Sequence, residues 1–106
     1  MVQELTTSND FNEFIDGDKP AVVFFYAVWN GNCRMIARLI EKAAQKYDGK
    51  IVFGKVNIDL ASDIAFPQKV ETIPLVLIFQ DGEELERIEG VFRSVELENE
   101  IDSLIG

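Results

Sequence analysis

Apolar residues recur along the chain with two spacings, and the change from one to the other marks the elements. Phe11, Phe14 and Ile15 fall three and four residues apart behind Ser8 or Asn9, either of which can cap a helix, and Gly17 ends the stretch. Ala21–Tyr26 (AVVFFY) is continuously apolar and rich in β-formers. Such a run reads as a strand covered on both faces, which implies a partly parallel sheet with helices on both sides. A turn-like WNGN then leads into a helix from about Asn32 to Tyr47, with Ile36, Leu39, Ile40, Ala43 and Tyr47 on one face and Asp48-Gly49 at its end. Ile51–Ile58 is a second β-rich run, and a short helix starting at Ser62 must stop or bend around Pro67. Leu75–Phe79 is the third, and Asp81-Gly82 is a two-residue hairpin turn returning the chain as an antiparallel strand over Glu84–Glu89. That last strand sets Leu85 and Ile88 among many charges, as a solvent-facing edge does. Ser94 is expected to cap a final helix carrying Leu97, Ile101, Leu104 and Ile105 on one side. The expected order is α-β-α-β-α-β-β-α, an α/β fold with a mixed central sheet flanked by helices on both faces.

Composition narrows what such a fold can do. The 106 residues carry 19 acidic against 10 basic side chains, a net charge of −9, with no histidine and one cysteine. A chain of this length buries roughly 65% of its unfolded surface, enough for a real core, and no repeat, linker or low-complexity tract divides it, so residues 1–106 are expected to form a single domain. The negative charge argues against nucleic acid or an anionic membrane as a partner, since both require a basic face. Without histidine there is no Ser-His-Asp or Cys-His nucleophile system and no imidazole ligand; with Cys33 alone there is no internal disulfide and no zinc-thiolate cage. No cofactor and no metal are expected: the glycines form no phosphate-cradling motif, and the aspartates lack metal-loop spacing. The carboxylates of the hairpin and last helix have the pattern of a solvated face. The N-terminal MVQELTTSND has no basic or apolar leader region, and a cytoplasmic location is expected.

Three local patterns resemble the thioredoxin family. Phe25-Tyr26-Ala27-Val28-Trp29 leads into Asn30-Gly31-Asn32-Cys33-Arg34-Met35-Ile36, where the family reads W-C-G-P-C-K-M-I. Lys55-Val56-Asn57-Ile58-Asp59 resembles its K-x-N-x-D strand, and Thr72-Ile73-Pro74 the loop whose proline is cis in the family; Gly90 matches a glycine after the hairpin. The resemblance implies the thioredoxin fold.

It also shows what is altered. Asn30 stands in the place of the family's attacking cysteine and Asn32 in that of its proline, while Cys33 matches the resolving cysteine. Phe24 lies where the family usually has a buried aspartate, and Arg38 where many members have a helix-kinking proline. Together these departures read as divergence rather than a two-site knockout. Disulfide exchange needs an accessible thiolate and a second thiol to resolve the mixed disulfide; an amide at position 30 cannot attack sulfur. Asparagine is, however, a strong helix cap, and a thiol deeper in the helix beside Phe24 should be desolvated and mostly protonated at pH 7. Lys55, whose family counterpart can pair with the missing aspartate, must reach water or find another carboxylate.

The remnant motif Asn30, Gly31, Asn32 and Cys33 therefore carries no confident catalytic assignment. What the resemblance leaves intact is a groove made of Trp29, Gly31, Thr72, Ile73, Pro74 and Gly90, in which the residue before the proline offers its backbone to an extended peptide or protein partner. Two readings follow: a non-redox binding module that has lost dithiol turnover, or a one-cysteine redox protein forming mixed disulfides through Cys33. A monomer is expected; a Cys33-linked dimer is disfavoured.

Overall fold

The computed structural model describes residues 1–106 and has the element order β1 (Val2–Glu4), α1 (Ser8–Ile15), β2 (Ala21–Tyr26), α2 (Gly31–Lys46), β3 (Val52–Asn57), α3 (Ser62–Ala65), β4 (Leu75–Gln80), β5 (Glu83–Glu89) and α4 (Ser94–Ile105). The five strands lie in the order β1-β3-β2-β4-β5. The first three are mutually parallel, and β4 and β5 run antiparallel to their neighbours. The sheet is mixed and central, as the uninterrupted apolar run of β2 implies.

Each face of the sheet carries its own core. Val22, Phe24, Val76 and Ile78 point towards α2 and α4 and pack on Cys33, Ile36, Ile40, Leu97 and Ile101. Val23, Phe25, Leu75 and Leu77 point the other way, onto Phe11 and Ile15 of α1 and Ile64 of α3. Alternate residues of one strand thus serve different layers, which is why β2 and all of β4 before Gln80 lack strongly polar side chains.

Three expectations need correction. The order α-β-α-β-α-β-β-α omits β1, whose three residues pair with β3 through Val2↔Phe53, Gln3↔Gly54 and Glu4↔Lys55. Three residues cannot display a period, and the signal that survives is Leu5, fully buried just beyond the strand, with its N–H donated to the Lys55 carbonyl at 2.9 Å. The cap of α1 is Thr7, whose hydroxyl accepts from the Asp10 N–H at 3.0 Å, rather than Ser8 or Asn9; the Ser8 hydroxyl instead donates to Asp63 of α3 at 3.0 Å. The cap of α4 is Arg93 rather than Ser94, because Glu96, three residues on, returns its carboxylate to the Arg93 N–H at 2.9 Å. Counted from Ser94 the third residue would be Leu97, which has nothing to return. Ile105, the last residue of α4, lies mostly outside the core.

The hairpin forms where expected: Asp81 and Gly82 have φ of +54° and +80°, the two left-handed residues that a tight hairpin turn requires.

Candidate functional site

The altered motif lies where β2 ends and α2 begins. Asn30 is extended, at φ −95° and ψ 116°, and its Oδ1 accepts the Cys33 N–H at 2.9 Å, capping the helix. Gly31 and Asn32 are exposed in the first turn. Cys33 turns inward: it is only 2% exposed and belongs to the same core cluster as Phe24. Burial pushes its thiol pKa up, against a smaller opposing effect of a backbone hydrogen bond at Ala27. The helix start, which in other proteins lowers the pKa of an exposed cysteine, here spends its Cys33 N–H on an amide side chain.

Phe24 keeps the sheet beneath Cys33 apolar. It is 1% exposed, stacks on Tyr26 with ring centroids 5.5 Å apart, and faces Lys55 in register across β3. Lys55 has found a different carboxylate. Its Nζ lies 3.9 Å from Glu4 of β1 and 5.9 Å from the centre of the Tyr26 ring. The Tyr26 hydroxyl donates to the same Glu4 carboxylate at 3.0 Å. Burial first, and then this bond, raise the Tyr26 pKa to about 12.

Trp29 stands at the mouth of the site, 65% exposed. Its indole N–H donates to Asp59 at 2.8 Å, and Asp59 is itself set by its N–H on Asn57 Oδ1 at 2.9 Å. On the other side, Arg34 donates to the Val28 carbonyl at 3.1 Å. The indole is exposed but not free. Asp59 escaped sequence reasoning as a site residue, although the K-x-N-x-D pattern already contained both it and Asn57.

The other segment expected at the groove holds Thr72, Ile73 and Pro74 before β4 and Gly90 after β5. The Ile73-Pro74 peptide is cis. Pro74 is buried, and its carbonyl accepts the Gly90 N–H at 2.8 Å, tying the approach to β4 to the end of β5. Gly90 has φ +81°, a left-handed conformation that favours glycine. Thr72 is exposed and Ile73 half-buried, and neither the N–H nor the carbonyl of Ile73 makes a hydrogen bond within the protein. These are two open backbone groups, one donor and one acceptor, on one extended residue.

A cavity of about 630 Å³ lies beside α3, with Ile58, Ala65, Phe66, Val70 and Glu71 in its lining, the last of these two residues before Ile73. Phe66, 87% exposed, forms its rim. No periodic pattern announces it, because α3 is four residues long and the other wall is loop. The size and apolar lining are those of a ligand-binding recess. No three His, Cys, Asp or Glu side chains converge as metal ligands would.

The thioredoxin family model matches residues 2–103 of the chain. A thioredoxin of Coprinus comatus is 35% identical over 91 residues, covering 85% of this chain and 86% of that protein. Thioredoxin-1 of Saccharomyces cerevisiae is 38% identical over 90 residues, covering 85% and 86% respectively. Among solved structures, the thioredoxin of Malassezia sympodialis superposes with a TM-score of 0.90 at 29% identity, covering 97% of this chain and 90% of that one.

Proposed function

The chain belongs to the thioredoxin family, and from that premise we propose that it is a non-redox member, a cytoplasmic module that binds extended peptide segments and no longer turns over disulfides. The observation that carries this reading is the contrast at one site: Asn30 closes the helix start with its own carboxamide, while across the groove the N–H and carbonyl of Ile73 remain open. A peptide strand pairing with Ile73 would gain two backbone hydrogen bonds, and the adjoining cavity would take one of its apolar side chains. The exposed indole of Trp29, held by Asp59, supplies the flank. A single free thiol suits a reducing compartment. Chemistry through Cys33 alone is opposed by its burial and raised pKa, which together keep it a protonated core residue.

The test uses N-acetylated, C-amidated hexapeptides of alternating apolar and polar residues, titrated against labelled protein while backbone amide shifts are followed. Binding is expected to move the Ile73 amide and the Trp29 indole signals. Ile73→Pro deletes the donor without touching any internal hydrogen bond, and should weaken binding roughly tenfold, the value of one well-placed hydrogen bond to an otherwise unpaired group. Peptide binding unchanged in Ile73→Pro would sink the proposal.

A further inference from the structure

Arg87 lies on the edge strand β5, outside the groove, yet it holds one wall of it. Its register partner is Leu77, whose side chain enters the core between the sheet and α1 and α3, so Arg87 emerges on that same face. There its guanidinium spans two targets. Nε and Nη2 each donate to the Glu84 carboxylate at 3.1 Å; Nη2 also donates to the Gln68 carbonyl at 2.8 Å, and Nη1 to the Lys69 carbonyl at 3.4 Å. The bond to Glu84, with the nearby charges of Glu89 and Glu71, holds the guanidinium pKa above its ordinary value.

The two carbonyls belong to the turn that brings the chain back from α3 to Ile73. Lys69 is left-handed there, with φ +56°, an uncommon conformation for a residue with a side chain. The N–H groups of Gln68 and Lys69 bond only locally, to Ala65 and Phe66, and the backbone of residues 70–73 makes no hydrogen bond at all. The two contacts from Arg87 are therefore the only hydrogen bonds joining residues 68–73 to another element of the fold. Lys69, Val70 and Glu71 of this stretch line the cavity. We propose that Arg87 is a positioning residue of the peptide groove: by gripping Gln68 and Lys69 from β5, it sets the cavity wall and the open edge of Ile73 in binding shape. The inference rests on the peptide-binding reading above. A planar fork can grip two carbonyls and a carboxylate at once, whereas a lysine ammonium is a single point of charge.

The experiment compares wild type, Arg87→Ala, Arg87→Lys and Glu83→Gln, the last a β5 charge without a hydrogen bond or ion pair. Backbone order parameters from nitrogen relaxation are measured on each, followed by titration with the same hexapeptides. In Arg87→Ala, order parameters should fall across residues 69–73 and hold in β4 and α2, and apparent affinity should drop roughly tenfold, as for a wall in binding shape about a tenth of the time. Arg87→Lys should resemble Arg87→Ala, and Glu83→Gln should resemble wild type. Wild-type affinity in Arg87→Ala, or full recovery in Arg87→Lys, overturns the role given to Arg87 and leaves the peptide reading standing. Wild-type protein that binds none of the peptides overturns the peptide reading itself, and the groove role of Arg87 falls with it.

Discussion

The two segments assigned to the proposed groove differ in how their polar groups are used. On the Asn30 side three polar groups are held internally: the cap takes the Cys33 N–H, Asp59 accepts the Trp29 indole N–H, and the Val28 carbonyl accepts from Arg34. On the Ile73 side, the backbone over residues 70–73 is left without partners, although Pro74 and Gly90 are bonded to each other directly beside it. A thiol and an indole held by internal bonds and burial are chemically quiet, whereas an unpaired donor and acceptor on one extended residue can template another strand. The proposed function places the lost thiol on the first side and recognition on the second.

The sharpest way to break this contrast is to return sulfur to the quiet side. Asn30→Cys places a thiol at the helix start, three residues before Cys33, and removes the amide that occupies the Cys33 N–H. Insulin-disulfide reduction should rise from background by at least about a hundredfold, a small part of the ~10⁶ that loss of a covalent nucleophile costs in other enzymes. Adding Asn32→Pro should raise it further. Wild-type protein already reducing insulin at the mutant's rate would mean that Asn30 had silenced nothing.

A double dissociation sharpens the comparison at lower energy. Asn30→Ala removes a helix cap and should cost roughly 1 kcal/mol of stability, read as a lower denaturant midpoint, with peptide affinity unchanged. Ile73→Pro removes no internal hydrogen bond and only the partial packing of one side chain on the core, so its midpoint should match that of Ile73→Ala while its peptide affinity falls below that variant's. If the two substitutions exchanged these effects, the assignment of one wall to stability and the other to recognition would be reversed.

Much of this was legible in the sequence, and the parts that were not share a cause. The strands β2, β3, β4 and β5 and the helices α1, α2 and α4 announce themselves by period and by turn residues, and the cap at Asn30 follows from residue type alone. The pattern WNGNC located the altered turn, and its buried thiol followed from Phe24 beside it. What escaped depends on distant segments meeting. Strand β1 is too short for a period and exists because β3 offers it an edge. The cavity is assembled from a four-residue helix and a loop. The grip of Arg87 requires a β5 register that places residue 87 over carbonyls 18 and 19 positions earlier. Sequence reasoning left Lys55 to choose between water and an unnamed carboxylate; the carboxylate is Glu4, on the strand that was missed.

That same Glu4 yields the smallest predicted effect, a pH dependence on the quiet side. Tyr26 has an ordinary pKa of 10.0 and one of about 12 in the fold, raised first by burial and then by its hydrogen bond and charge repulsion with Glu4. A group whose folded pKa is raised adds stability that is fully present while both states stay protonated, below pH 10.0, and that is lost as pH climbs towards about 12. Tyr47, bonded to Asp102 at 2.7 Å, shifts in the same direction, as does Cys33, so the whole protein weakens in alkali and the Tyr26 share must be isolated by difference. The midpoint gap between wild type and Tyr26→Phe should be constant below pH 10.0 and should narrow between there and about 12. The pair is half-exposed at the end of the sheet and screened by water, so the whole change should stay within roughly 1 kcal/mol. Glu4→Gln keeps the burial and removes the charge, and should shrink the narrowing without abolishing it. A gap that stays flat across that window would show that neither burial nor Glu4 holds the Tyr26 proton, and narrowing unchanged in Glu4→Gln would leave burial as its sole cause.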